Sequence, residues 1–180
     1  MEYALRNRRE AGMSHYTLYI ANRNYSSWSL RPWLLMTELW IPFTETLVPF
    51  EESNHANFSR FSPNARVPCL HDGDTVIWDS LAIIEYLDET HPEPALLPKD
   101  ALGRAHVRAL AQSIACEIHP INNLRVLKYL SVNLGLNEDQ KNTWYRHWVR
   151  DGLESFERQL AQGPQSTYCF GNTPTLADCC

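Results

Sequence analysis

Three prolines, Pro92, Pro94 and Pro98, crowd into a stretch with few apolar anchors and divide the chain into halves of different periodicity. Each removes a backbone donor and clamps its own φ, so no regular helix or interior strand runs through them. Residues 92–102 therefore read as an interdomain linker. Beyond it, Val107, Leu110, Ile114, Ile118 and Ile121 recur at steps of three and four, the spacing of one helical face. They imply one long helix reaching to about residue 132 and kinked at Pro120. Asn137 and Gln140 form a capping-box pair for the next helix, whose buried side takes in Trp148, Val149, Gly152, Phe156 and Leu160, with Gly152 marking close packing. A turn through Gly163-Pro164 and the run Tyr168-Cys169-Phe170-Gly171 lead to Thr175 and Asp178, a further capping-box start. Residues 103–180 read as all-helical.

Ahead of the linker the periods are mixed. Residues 16–21 alternate as a strand. The stretch Asn-Arg-Asn-Tyr-Ser-Ser-Trp-Ser-Leu-Arg-Pro, 22–32, leaves that strand and enters a helix expected over 30–39. Ser29 is its expected N-cap, Pro32 sits in its first turn, and it ends near Ile41-Pro42. Residues 44–49 alternate enough for a second strand. From 51 to 64 the pattern is polar and irregular, with Phe58 and Phe61 as lone anchors, which implies loop and short helix. Residues 67–71 and 75–78 flank Asp72-Gly73-Asp74, a hairpin signal. Asp79 and Ser80 then open a helix with Leu81, Ile84 and Leu87 on one face, ending before His91-Pro92. The order β-α-β-α-β-β-α is that of a thioredoxin-like α/β domain, here over 15–91.

Charge and cysteine usage exclude several classes. Sixteen Lys and Arg against 21 Asp and Glu give a net charge of −5, with no basic run interleaved with aromatics, so nucleic acid is not an expected partner. Five cysteines, odd in number and forming no C-x-x-C pair, suggest neither a disulfide framework nor a zinc site, and a reducing compartment follows. None of the seven histidines has a metal-ligand partner at helical spacing. No apolar run approaches the roughly 18 residues of a membrane span, and the arginines of residues 1–12 lead into no apolar leader. The expectation is a cytoplasmic protein without a membrane partner. Met13 opens a better-patterned segment, so residues 1–14 are expected to be a flexible tail, or Met1 to Gly12 an upstream start.

Ser26, Ser27 and Ser29 crowd the start of the first helix, where unpaired N–H groups and a partial positive charge stabilise an anion. Helix capping alone would also place serines there. The rest of the chain decides between the two.

From residue 16 to 180 the chain resembles a cytosolic glutathione transferase. Val67-Pro68 before a hairpin resembles the family's cis-proline, which turns a backbone edge toward the cysteinyl part of glutathione. Asp79-Ser80, within Asp-Ser-Leu-Ala-Ile-Ile-Glu-Tyr-Leu at 79–87, resembles the pair that holds the γ-glutamyl group. Thr173-Pro174-Thr175-Leu176-Ala177-Asp178 resembles the capping box of a central helix in the C-terminal domain, a structural feature. The second half is similar to the zeta class, notably at 114–127, Trp144-Tyr145-Arg146-His147-Trp148 and 168–178. In the first half, Trp28 follows the paired serines where zeta members carry cysteine or a small residue, and Ser29-Leu30-Arg31-Pro32-Trp33-Leu34 resembles another bacterial group. The chain thus reads as a mosaic joined within 79–87. The resemblance implies a glutathione transferase fold that is C-terminally incomplete at Cys180, short of an arginine that zeta enzymes use for substrate.

The implied cofactor is glutathione. Lowering a thiol from about 8.5 by roughly two units means favouring the thiolate by about 2.7 kcal/mol. One charge-assisted hydrogen bond plus a helix N-terminus is enough for that. Ser26 is the first choice of donor and Ser27 the second, with Ser29, Arg31, Val67, Pro68, Asp79, Ser80, His119, Asn123 and Arg125 as further binding residues. The implied reaction is cis–trans isomerisation of a cis-enone dicarboxylate of maleylacetoacetate type, a dianion toward which Arg31, Arg125 and His119 are candidate partners. For Arg31 a surface charge is an equal reading. The alternatives are a general transferase conjugating small-molecule electrophiles, and a non-catalytic binding module or inactive fragment. A homodimer is the expected assembly.

Overall fold

The computed structural model describes residues 15–22, 26–49, 58–59, 62–163 and 165–180. The tail expected over 1–14, most of the irregular segment at 51–64 with Phe61, and Pro164 lie outside them. The chain divides into two compact units between Pro94 and Ala95.

The first unit is built on a four-stranded mixed sheet of order β2-β1-β3-β4, with β1 (Tyr16–Ile20), β2 (Thr44–Leu47), β3 (Cys69–Asp72) and β4 (Thr75–Trp78). Between β1 and β2 runs α1 (Ser27–Glu38), and after β4 comes α2 (Ser80–Thr90). The helical crossover makes β1 and β2 parallel, Thr17 opposite Thr44 and Ile20 opposite Leu47. A two-residue turn at Gly73-Asp74, with Gly73 at φ +56°, makes β3 and β4 antiparallel. The alternation of β1 is realised: Tyr16, Leu18 and Ile20 are buried and the residues between them are not. Leu18, Ile20 and Leu70 of the sheet, Met36 of α1 and Ile83, Ile84 and Leu87 of α2 are fully buried. This is the expected thioredoxin-like arrangement, save that the helix expected between β2 and β3 lies outside the described residues.

The first helix starts earlier than the sequence implies. Ser26, not Ser29, is the N-cap: its Oγ accepts the Ser29 N–H at 3.3 Å, and its carbonyl accepts the Leu30 N–H at 3.0 Å. Pro32 consequently lies inside α1, where it removes the N–H that would reach the Trp28 carbonyl. β1 ends at Ile20, one residue early, and the Ala21 N–H turns to Ser29 Oγ at 3.1 Å. β2 likewise ends at Leu47 rather than at residue 49.

In the second unit Asp100 caps α3 (Ala101–Gln112) by accepting the Gly103 N–H at 2.8 Å. The single long helix expected to residue 132 does not form. A π turn at Ser113–Ile118 and a 3-10 turn at Pro120–Asn122 separate α3 from α4 (Leu124–Val132). The His119 N–H reaches back five residues to the Ile114 carbonyl at 3.1 Å, and Pro120 offers no N–H to continue the ladder. Asn123 is extended, and its side chain accepts the Arg125 N–H at 3.1 Å to start α4. The box that opens α5 (Glu138–Gln162) forms as expected, Asn137 and Gln140 exchanging two 2.9 Å bonds. Trp148, Val149, Gly152, Phe156 and Leu160 are half-buried, and no residue of α5 is fully so. The last element is a 3-10 turn, Leu176–Cys179, in place of the expected helix start. Asp178 accepts both the N–H and the hydroxyl of Thr175, at 2.8 and 2.7 Å, and the Cys169 N–H at 2.9 Å. Leu176, fully buried like Val107 and Ala111, donates its N–H to the Leu96 carbonyl at 3.1 Å. Among the described residues no helix is long and apolar enough to cross a membrane.

Candidate active site

Three pieces of the first unit converge on a cleft of about 60 Å³: the first turn of α1, the segment ahead of β3, and the start of α2. Trp28, Asn64, Arg66, Val67, Pro68, Asp79 and Ser80 line it. Four of these come from the sequence-derived set. Trp28, Asn64 and Arg66 do not, although Arg66 is the immediate neighbour of Val67-Pro68 and Trp28 stands between two of the flagged serines.

The segment ahead of β3 is shaped by one buried hydroxyl. Ser62 Oγ lies 2.7 Å from Asn64 Oδ1 and 2.9 Å from the Arg66 carbonyl, and Asn64 Oδ1 also accepts the Arg66 N–H at 3.1 Å. Ala65 is held at φ +51° within this knot, which presents Asn64 and Arg66 outward. The Val67–Pro68 bond that follows is cis, as the resemblance implies. Next in the chain, Cys69 is buried, and that burial pushes its thiol up to about 11 against a smaller opposing effect of Ser62. It is a neutral core side chain, not a nucleophile.

At the start of α2, Asp79 takes φ +75° and caps the helix by accepting the Leu81 N–H at 3.1 Å. Its carboxylate is exposed beside Ser80. Ser80 Oγ accepts a 2.9 Å bond from Arg31 Nη1, which joins α2 to α1. Arg31 is only 2% exposed, so it is not the surface charge the sequence allows, nor does it face outward toward a dianion. Ser29 has no exposed surface and, between Ala21 and Ser26, secures the helix start rather than touching a ligand in this conformation. Ser26 is half-buried, with its hydroxyl 3.0 Å from Ser29 Oγ, and Ser27 is exposed as the first residue of α1.

The remaining three candidates belong to the second unit. His119 is half-buried at the end of the π turn, Asn123 caps α4, and Arg125 is exposed in its first turn. Among the described residues no group of three His, Cys, Asp or Glu could hold a metal ion.

The site's chemistry is that of a small amphoteric ligand. Asp79 can take a cation, Ser80 and the N–H groups of α2 can take a carboxylate, and the start of α1 offers a hydroxyl donor and a helix dipole to a further anion.

Comparison with known proteins gives these features a context. Residues 25–90 match the family described as Glutathione S-transferase, N-terminal domain. The chain is 48% identical over 129 residues to a probable maleylacetoacetate isomerase of Vibrio cholerae, covering 72% of this chain and 60% of that one. It is 37% identical over 169 residues to a maleylacetoacetate isomerase of Pseudomonas aeruginosa, covering 92% and 76%. Among solved structures, a bacterial maleyl pyruvate isomerase described as a zeta-class glutathione S-transferase superposes with a TM-score of 0.85 at 42% identity, over 91% of this chain and 77% of the other. The chain spans about 60% of the length of the curated relatives it matches at 48% identity. On the sheet, the cis-proline, the Asp79-Ser80 helix start and these likenesses together, the chain belongs to the glutathione S-transferase family, in its zeta class.

Proposed function

We propose that this chain is a glutathione-dependent cis–trans isomerase of maleylacetoacetate type. The observation that carries the reading is the cleft in which a capped helix start, the cis Val67–Pro68 bond and Asp79-Ser80 meet, in a chain 48% identical to a probable maleylacetoacetate isomerase. The residues present fit glutathione. Asp79 offers a carboxylate to its α-ammonium, and the Ser80 hydroxyl, which already accepts from Arg31, keeps its proton for the α-carboxylate.

Bound, glutathione supplies a thiolate that adds reversibly to the cis double bond and leaves after rotation about the resulting single bond. Ser26 would hold that sulfur as an anion by turning to it the hydroxyl that now donates to Ser29 Oγ. The N-terminal turn of α1 adds the field of its unpaired N–H groups. Ser26 donates rather than attacks, so no general base is needed. Within the second unit, Arg125 is exposed in the first turn of α4 and is the cation that the resemblance assigns to a substrate carboxylate, with Asn123 and His119 as its neighbours in sequence. Family membership supports a homodimer and a cytoplasmic location.

The test is isomerisation of maleylacetoacetate by purified protein with and without glutathione, with a general electrophile run in parallel. Ser26→Gly keeps most of the cap, since glycine costs only a few tenths of a kcal/mol there, while Ser26→Ala costs about 1 kcal/mol. Both should lose roughly tenfold in rate at neutral pH, the equivalent of about one unit of thiol pKa, because the helix N-terminus keeps its share of the shift. Full activity in Ser26→Gly removes Ser26 from the role. Conjugation without isomerisation would favour the general transferase.

A further inference from the structure

We propose that Arg31 is a positioning residue that biases Ser80 toward donating to a ligand carboxylate; this rests on the glutathione reading of the cleft. Three observations carry it. Arg31 is buried at 2% exposure, in the interior of α1. Its Nη1 donates to Ser80 Oγ at 2.9 Å across the α1–α2 contact. Ser80 lines the cleft as the first residue of α2, and among the described residues nothing accepts its O–H.

A guanidinium carries five donors and no acceptor, so the Ser80 proton cannot point back at Arg31. With one lone pair of Oγ filled by a charged donor, the second lone pair is a poor acceptor for another cation, because the guanidinium beside it repels an ammonium, and the free O–H is the group best placed to serve a ligand. The bond from Arg31 also polarises the O–H and strengthens it as a donor. A serine alone rotates freely and serves ammonium or carboxylate equally well. With Arg31 behind it, Ser80 discriminates for the anion. The cation-accepting task then falls to Asp79 beside it, whose exposed carboxylate has no donor role. The two neighbours thus divide the ammonium and the carboxylate of one amino-acid group, and Arg31 assigns which takes which. The same bond couples α1, which Ser26 caps, to the residue proposed to grip the far end of the ligand.

The experiment is calorimetric titration of the full chain with glutathione and with an analogue whose γ-glutamyl α-carboxylate is an amide. It uses wild type, Arg31→Gln, Arg31→Lys, Ser80→Ala and the Arg31→Gln/Ser80→Ala double variant, with thermal melting alongside. Removing a hydrogen bond to a charged group costs roughly tenfold or more in affinity, and Arg31→Gln should weaken glutathione binding by about that factor. Arg31→Lys should recover part of the loss. The double variant should bind no more weakly than Ser80→Ala alone, because both substitutions remove one interaction. The amide analogue should bind all Arg31 and Ser80 variants nearly alike. Arg31→Gln that melts lower but binds glutathione as wild type does would make Arg31 merely structural and overturn the assignment, as would additive losses in the double variant. Wild type that does not bind glutathione overturns the functional reading and this assignment with it.

Discussion

Gly152 lies midway along α5, and a Cβ built on it would stand 2.3 Å from Ile118 Cγ1 and 2.6 Å from Ile118 Cδ1. Ile118 is buried at the end of the π turn, and its β-branched side chain has little rotamer freedom with which to withdraw. Gly152→Ala therefore sets two effects against each other. Alanine stabilises a helix interior by about 1 kcal/mol relative to glycine. Overpacking a filled site costs about 1–3 kcal/mol. With Cγ1 well inside contact distance the upper half of that range applies, so the net is a loss of about 1–2 kcal/mol. For a chain of this length that corresponds to a melting temperature lower by about 3–6 °C. Differential scanning calorimetry reads it directly. Ile118→Ala alone should cost about 2–5 kcal/mol through the cavity it leaves. The double variant should cost less than the sum, because the new methyl occupies part of that cavity. A melting temperature unchanged or raised in Gly152→Ala, or strict additivity in the double variant, would refute the steric argument.

Two further expectations concern titratable groups. Burial pushes the Asp178 carboxyl up, but the N–H of Cys169 and the hydroxyl and N–H of Thr175 outweigh it and hold it below 3.8. Its folded pKa is thus depressed, so its stabilisation is full above the unfolded value and is lost as pH falls through and below it. Melting curves between roughly pH 5 and 2 should show this acid loss in wild type and a shallower one in Asp178→Asn, and equal slopes would dismiss it. Among the cysteines, burial pushes Cys69 up to about 11, and burial together with Asp178 pushes Cys169 up to about 12, whereas Cys116 is exposed. Alkylation of the native protein near neutral pH, mapped by mass spectrometry, should label Cys116 first and Cys69 and Cys169 last, and early labelling of Cys69 would contradict its burial.

Local chemistry made much of the fold legible. The Asp72-Gly73-Asp74 hairpin, the Asn137–Gln140 box and the alternation of β1 are properties of a few adjacent residues, and all three form. Competition among equals is what local chemistry does not resolve. Ser26, Ser27 and Ser29 are all able caps, and proximity to Pro32 favoured Ser29, yet the Ser29 hydroxyl is drawn off by the Ala21 N–H at the end of a strand. The apolar spacing from Val107 to Ile121 was helical throughout, but the backbone changes winding at Ser113 and again at Pro120, and side-chain periodicity is insensitive to which carbonyl each N–H selects. In the site, Val67, Pro68, Asp79 and Ser80 were legible through resemblance. The burial of Arg31 was not, because it depends on Ser80, 49 residues away and on another helix. Asn64 and Arg66 become cleft walls only once Ser62 has folded their loop, and Trp28 joins them because α1 starts as early as Ser27.

The bond from the Ser26 hydroxyl to Ser29 Oγ has a consequence for how the site would tell sulfur from oxygen. A ligand arriving at Ser26 does not add a hydrogen bond; it exchanges one. An analogue of glutathione with an alcohol in place of the thiol offers a neutral acceptor for a neutral acceptor and gains almost nothing. An ionised sulfur offers charge, and only then does the hydroxyl have reason to turn. The preference for sulfur should accordingly grow with alkalinity until the thiol is fully ionised and then level off, making the resting serine pair a threshold that a ligand crosses by losing its proton.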